Sequence, residues 1–229
     1  MMMTAALTEA PALRVIGAVA PDPRRAGSVR IMVQGRPLLT IPREAAERER
    51  LEPGMVLEES LFARLCRAAD EEAAFRTGLR FLERRPFAAK DLARRLVLKG
   101  HPPPAAEAAR LRAERMGLLD DARFTLHFVQ TRAARGRGPL RLRRDLAVLG
   151  VERGVVDQAL AEAFGAEGND APQADAVARR RLAQLRGLPR PVQRRRLLAF
   201  LARRGFVGHT ITRLVGELLK GEEPVTSNR

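Results

Sequence analysis

A chain of 229 residues with 45% apolar side chains is long enough for two ordinary domains or one extended array. With 4% aromatics and neither Trp nor Tyr, its core has to be built from Leu, Ala and Val. The 42 Lys and Arg against 27 Asp and Glu leave a net charge of +15, which attracts polyanions: nucleic acid, an acidic protein surface or an anionic membrane. A GC-rich coding bias would explain why only Lys90, Lys99 and Lys220 are lysines, but it does not explain the basic excess. Cys66 is the only cysteine, which excludes an internal disulfide and fits a reducing cytoplasm. It sits among Leu61, Phe62 and Leu65 on a helical pattern, as a buried structural thiol would. No apolar run approaches the roughly 20 residues of a membrane span, and residues 1–10 lack the basic start and apolar centre of a secretory signal.

Taken in order, residues 1–57 read as a loose tail followed by a small antiparallel β element. Residues 13–20 are apolar enough for a strand. Val29, Ile31 and Val33 alternate with Arg30, Met32 and Gln34, the period of a half-buried strand. Gly35-Arg36 is a tight-turn signal and residues 38–41 return. Three such strands are too few to be stable alone, so the element is expected to dock on the helix that follows. From about residue 58 the pattern is helical almost throughout. Residues 58–118 hold a linking helix and a first three-helix unit, with helices over 58–69 and 71–84 joined or abutting. Residues 119–165 hold a second unit. Residues 166–221 hold a linker, starting at Gly165, and a third unit. Residues 222–229 are expected to be disordered.

The units are defined by a recurring Leu-x3-Leu-x3-Gly: Leu92, Leu96 and Gly100; Leu142, Leu146 and Gly150; Leu197, Leu201 and Gly205. Leucines four apart share a helix face, and a glycine just past a helix end accepts the left-handed backbone. Each copy follows an apolar triplet spaced i, i+4, i+7: Phe75, Leu79 and Leu82; Phe124, Phe128 and Thr131; Ala178, Leu182 and Leu185. Each glycine is followed, six residues later, by Ala106, Val156 or Ile211 on a third helix. The fold expected is mainly α, with tandem three-helix repeats forming an elongated curved array behind the small N-terminal β element. Asp120 or Asp121 is expected to cap the helix that follows it.

Three stretches resemble elements of the RecX family of bacterial recombination regulators. Gly117-Leu118-Leu119-Asp120-Asp121-Ala122-Arg123-Phe124 is similar to that family's Gly-Tyr-Leu-Asp-Asp-x-Arg-Phe/Tyr. Leu92-x3-Leu96-x2-Lys99-Gly100 and Gly138-Pro139-Leu140-Arg141-Leu142-x3-Leu146-x3-Gly150-Val151 resemble two more. The match covers residues 75–160 well and the third unit more loosely. Leu118 stands where the family usually has Tyr, and His101 where it often has an aromatic. Ala106, Ala109 and Arg110 replace larger aliphatics, so a thinner core is expected in that helix.

No catalytic set is present. There is no Gly-x4-Gly-Lys-Ser/Thr loop, and Gly136-Arg137-Gly138 lacks the third glycine of a dinucleotide fingerprint. His101, His127 and His209 are too dispersed for a metal site, and Ser28, Ser60 and Ser227 occupy no nucleophile elbow. No cofactor is implied. The basic charge is concentrated: twelve basic and two acidic side chains give +10 over residues 171–220. The candidate DNA- or RecA-binding residues are Arg132, Arg135, Arg137, Arg141, Arg143 and Arg144 in the second unit. In the third they are Arg179, Arg180, Arg194, Arg195, Arg196, Arg203 and Arg204. Gly136 and Gly138 are expected to leave their loop flexible enough to follow a phosphate backbone. Such sites bind phosphates with strong salt dependence and little sequence preference.

The resemblance implies a regulator, not an enzyme. It would bind the RecA recombinase filament on single-stranded DNA, and possible double-stranded DNA contacts would also lack sequence specificity. It would modulate, most often inhibit, strand exchange and ATPase activity in recombinational DNA repair and the SOS response. No membrane role is expected, and a monomer is the default. The competing reading is a stand-alone basic helical nucleic-acid binder such as a helix-turn-helix transcription factor. Against it, the glycine turns are followed by ordinary amphipathic helices with few base-reading side chains.

Overall fold

The computed structural model describes residues 14–165 and 170–220. The chain is mainly helical, with ten helices and one three-stranded antiparallel sheet among the described residues. It divides into two compact units: residues 14–84 with 93–116, and residues 85–92 with the described residues from 117 onward. The expected N-terminal tail, the C-terminal tail and the centre of the 165–172 linker lie outside the described residues.

In the first unit, β1 (Ile16–Pro21), β2 (Ser28–Val33) and β3 (Arg36–Pro42) pair in sequence order. Val19 stands opposite Ile31, and Val29 opposite Ile41. The β2–β3 turn places Gln34 and Gly35 at φ 50° and 75°, the paired positive angles of a type I′ hairpin turn. β1 begins later than residues 13–20 suggested. The sheet buries Ile16, Ile31 and Ile41 against Leu57 and Leu65, so it docks on the following helix as its size required.

Two features depart from the sequence reading. A short helix, α1 (Arg43–Arg48), follows β3 directly. The two helices expected over 58–69 and 71–84 are one continuous element, α2 (Glu59–Leu82). No glycine or proline lies near residue 70 to break it. What changes there is the partner. Leu65 packs on the sheet, while Ala74, Phe75, Thr77 and Gly78 are buried further along.

Helix α3 (Ala89–Leu98) is shared by the two groups of residues, and α4 (Pro103–Arg115) completes the first. The buried residues of α4 are Ala105, Ala106, Ala109 and Ala113, the thinner core expected there. Polar ties supplement it. Arg112 Nη1 donates to Glu72 Oε2 at 2.8 Å while its guanidinium lies 4.0 Å over the Phe75 ring.

The second unit contains two successive three-helix layers. Helices α5 (Asp121–Ala133), α6 (Pro139–Val148) and α7 (Arg153–Phe164) enclose Phe128, Leu142, Leu146, Val156 and Leu160. Helices α8 (Ala171–Ala183), α9 (Arg190–Arg204) and α10 (His209–Lys220) enclose Ala178, Leu182, Leu197, Leu201, Phe206 and Ile211. Each motif leucine is 0–1% exposed. Full burial of one such side chain stabilises by about 1.5–3 kcal/mol.

The motif glycines end their helices as expected. Gly100, Gly150 and Gly205 have φ of 99°, 81° and 96°. The leucine before each accepts from the residue after it: His101 N to Leu96 O at 3.1 Å, Val151 N to Leu146 O at 3.2 Å, and Phe206 N to Leu201 O at 3.0 Å. These are the six-to-one bonds of a Schellman stop. The adjacent aspartates divide their work. Asp120 caps α5, accepting from Arg123 N at 2.9 Å. Asp121 instead accepts from Ala89 N at 2.8 Å, capping the start of α3 from a distance.

Candidate nucleic-acid interface

Helices α6 and α9 occupy equivalent places in their layers and carry most of the candidate arginines. On α9, Gln193, Leu197 and Leu201 form the buried stripe. Arg194, Arg195 and Arg196 fill the positions between them and are exposed. Successive side chains turn by about 100°, so this run spreads charge around the whole outer surface of the helix. Arg196 and Arg203, seven apart, fall on one row. The guanidinium groups of Arg194, Arg195, Arg196 and Arg203 have no hydrogen-bond or ion-pair partner among the described residues. Exposed Arg180 on α8 and exposed Arg144 on α6 are likewise unpaired.

Among the remaining candidates, exposed Arg135 has no side-chain partner among the described residues, whereas Arg132, Arg137, Arg141, Arg143, Arg179 and Arg204 are engaged within the protein. Arg137 Nη1 lies 2.6 Å from Asp145 Oδ2, and Arg141 Nε 2.9 Å from Asp145 Oδ1. Arg143 reaches Asp157 Oδ1 at 2.7 Å, and Arg153 approaches the other oxygen at 3.4 Å. The hydrogen bond from Arg143 is the main reason the Asp157 carboxyl is held below its usual range. Arg179 pairs with Asp175 at 2.7 Å. Arg132 lies 3.6 Å over the Phe128 ring, and its burial lowers the guanidinium pKa from its ordinary value. Surface ion pairs of this kind contribute at most about 1 kcal/mol and can exchange for phosphate. They nonetheless occupy Arg137, Arg141 and Arg143 in the free protein and leave Arg144 as the unpaired arginine of α6 among the described residues.

The glycine loop corrects the sequence reading, and Arg204 is what holds it. Arg204 Nη1 donates to Arg135 O at 3.0 Å and to Gly136 O at 3.3 Å. Gly138 N donates to Arg204 O at 2.7 Å. A Cβ on Gly138 would stand 2.6 Å from the Gly205 carbonyl carbon. The loop at 136–138 is therefore pinned against the end of α9. Its second glycine permits close backbone approach and does not make a flexible phosphate-following segment.

Sequence reasoning also missed a cleft of about 450 Å³ between the C-terminal end of α5 and helices α8 and α9, lined by Arg135, Arg180, Arg181, Arg204, Gln173 and Phe200 among others. Arg181 and Arg204 approach the Phe200 ring, at 5.4 and 5.0 Å from its centroid. Arg135, Arg180 and Arg204 were candidates from the sequence, but no local pattern marks Gln173, Arg181 and Phe200 or brings the six together. No group of three or more His, Cys, Asp or Glu able to hold a metal ion occurs among the described residues. His101 Nε2 is within 3.0 Å of Thr77 Oγ1. No described helix is long and apolar enough to cross a membrane.

Fold and surface together define a helical protein of tandem three-helix layers whose last layer is strongly basic. The family description "RecX, second three-helix domain" matches residues 120–160, and "RecX, third three-helix domain" matches residues 172–215. The chain is 37% identical over 146 residues to the regulatory protein RecX of Halorhodospira halophila, covering 62% of this chain and 86% of that one. It is 38% identical over 141 residues to regulatory protein RecX of Xanthomonas axonopodis pv. citri, covering 62% and 85%. This chain belongs to the RecX family of regulatory proteins. The fold is similar to a crystal structure of regulatory protein RecX, with a TM-score of 0.71 at 21% identity over 92% of this chain and 100% of that one. It also resembles RecX from Lactobacillus salivarius, with a TM-score of 0.56 at 15% identity over 65% and 96%.

Proposed function

We propose that this chain binds the RecA filament on single-stranded DNA and lowers its strand-exchange and ATPase activity, acting in recombinational repair and the SOS response. It would act in the cytoplasm, as a monomer, with its repeats engaging successive positions of the filament. The observation that carries the reading is the unpaired set on α9: Arg194, Arg195, Arg196 and Arg203 present guanidinium groups that no carboxylate among the described residues neutralises. Arginines so placed bind phosphate oxygens or acidic protein surfaces without needing to break an internal pair. No base-reading set accompanies them, so binding would follow backbone charge and not sequence.

The test is RecA's DNA-dependent ATP hydrolysis on preformed filaments at near-physiological salt, with this protein titrated in. A fall at concentrations well below that of RecA supports the reading. Unchanged hydrolysis together with retained binding to naked DNA would favour a stand-alone nucleic-acid binder. A sequence-specific footprint on duplex DNA would identify a transcription-factor role.

A further inference from the structure

The cleft between the second and third layers combines several features that a solvated basic surface does not need. Arg135, Arg180, Arg181 and Arg204 line it, and no carboxylate does so among the described residues. Its volume of about 450 Å³ falls within the roughly 300–1,000 Å³ of clefts that enclose small ligands. Two polar atoms at its wall are buried and unpartnered: Arg181 Nε, a donor, and Gln173 Oε1, an acceptor. Buried polar groups are normally satisfied, and leaving one unmade is costly. The rest of the Arg181 side chain is held in place, with Nη1 donating to Gln184 Oε1 at 2.7 Å. Arg204 is fixed by its bonds to the carbonyls of Arg135 and Gly136. The half-buried Phe200 ring completes the wall.

We infer that this cleft seats one nucleotide of single-stranded DNA. Its phosphate would lie among the four arginines, and the Gln173 side chain, whose Oε1 is shut off from solvent in the free protein, would turn to accept from an amino group on its base edge. The unpartnered Arg181 Nε would supply a donor for a phosphate oxygen once its side chain shifts toward the cleft. Phe200 and the planar guanidinium groups offer flat surfaces for a base. A single strand can turn one nucleotide into such a space, whereas a duplex keeps its base edges paired and presents only its backbone. The inference rests on the DNA-binding reading above and gives it a strand preference. That preference separates it from Arg194, Arg195, Arg196 and Arg203, which would contact any phosphate backbone.

The experiment is fluorescence anisotropy on the full chain with a labelled oligodeoxycytidine, an abasic strand of equal length and charge, and a duplex. Ala176→Trp fills the cleft from an exposed lining position without changing the net charge; Ala176→Ser is the control, and thermal melting checks the fold. The expected result is an affinity loss of about fivefold or more for oligodeoxycytidine in Ala176→Trp, with duplex affinity within about twofold. Gln173→Leu, which keeps the bulk and removes the acceptor, should reduce the preference for oligodeoxycytidine over the abasic strand about threefold and leave the part that stacking on Phe200 supplies. Unchanged single-strand binding in both variants overturns the inference, as does an equal loss on single strand and duplex. Displacement of the strand by free deoxycytidine monophosphate at the same nucleotide concentration would assign the cleft to free nucleotides, and equal displacement by polyglutamate to an acidic peptide. If the wild-type chain binds no DNA at all, the general reading fails and not only the cleft.

Discussion

Helices α6 and α9 are one element used twice. Each starts at a proline-containing first turn, buries two leucines four apart and stops at a left-handed glycine. Their arginines differ in number, three against six, and in what stands nearby. On α6, Asp145 takes both Arg137 and Arg141, and Asp157 takes Arg143. On α9, no acid occurs within the helix, and Arg194, Arg195, Arg196 and Arg203 remain unpaired among the described residues. The number of basic residues is therefore not the whole difference between the two surfaces. The position of two aspartates distinguishes a surface held internally from one available to a partner.

The largest effect should come from the joint between the two helices. A Cβ on Gly205 would stand 2.4 Å from Arg141 N, whereas one on Gly150 would meet the Lys90 stem at 2.8 Å. Left-handed strain plus a backbone clash predicts a loss of about 2–4 kcal/mol for Gly205→Val, with Gly150→Val milder at roughly 1 kcal/mol or more. Denaturant unfolding measures both, and equal losses would show that the close approach of α6 and α9 does not matter.

Next in size is the charge comparison itself. Arg194, Arg195 and Arg196 all changed to Ala should weaken binding to the nucleoprotein filament about tenfold. The change should also flatten the salt dependence by roughly 0.7 in log–log slope for each lost contact to single-stranded DNA. The matching triple change of Arg137, Arg141 and Arg143 should cost only about twofold to threefold in binding. A reversed order would mean that the ion pairs on α6 open to bind phosphate.

Smaller still, Asp145→Asn releases Arg137 and Arg141 and makes α6 resemble α9. DNA affinity should rise by about twofold, the size expected for freeing exposed charges. Unchanged affinity would show that α6 does not face the ligand. The smallest effect concerns pH. Because the folded-state pKa of Asp157 is depressed, its contribution is complete above the unfolded value of about 3.9 and is lost as pH falls through the lower folded value. The melting temperature of the wild-type chain should therefore drop more steeply than that of Asp157→Asn below about pH 4. Parallel curves would show that the pair with Arg143 does not couple to folding.

Local periodicity determined a large part of this protein. Helix geometry alone puts Leu142 and Leu146, or Leu197 and Leu201, on one face, and a glycine one turn later ends the helix whatever surrounds it. The alternation of Val29, Ile31 and Val33 specified a strand for the same reason, and the motif order around Asp120-Asp121 pointed to the family. Tertiary structure decided the rest, because it depends on what a distant segment brings. Asp121 caps a helix 32 residues earlier in the chain. Arg143 is neutralised from 14 residues away, and Arg204 is held by a carbonyl 69 residues away. No period in the sequence encodes those meetings. A count of arginines found the basic layer, but only packing separated the side chains the protein uses itself from those it leaves for a partner.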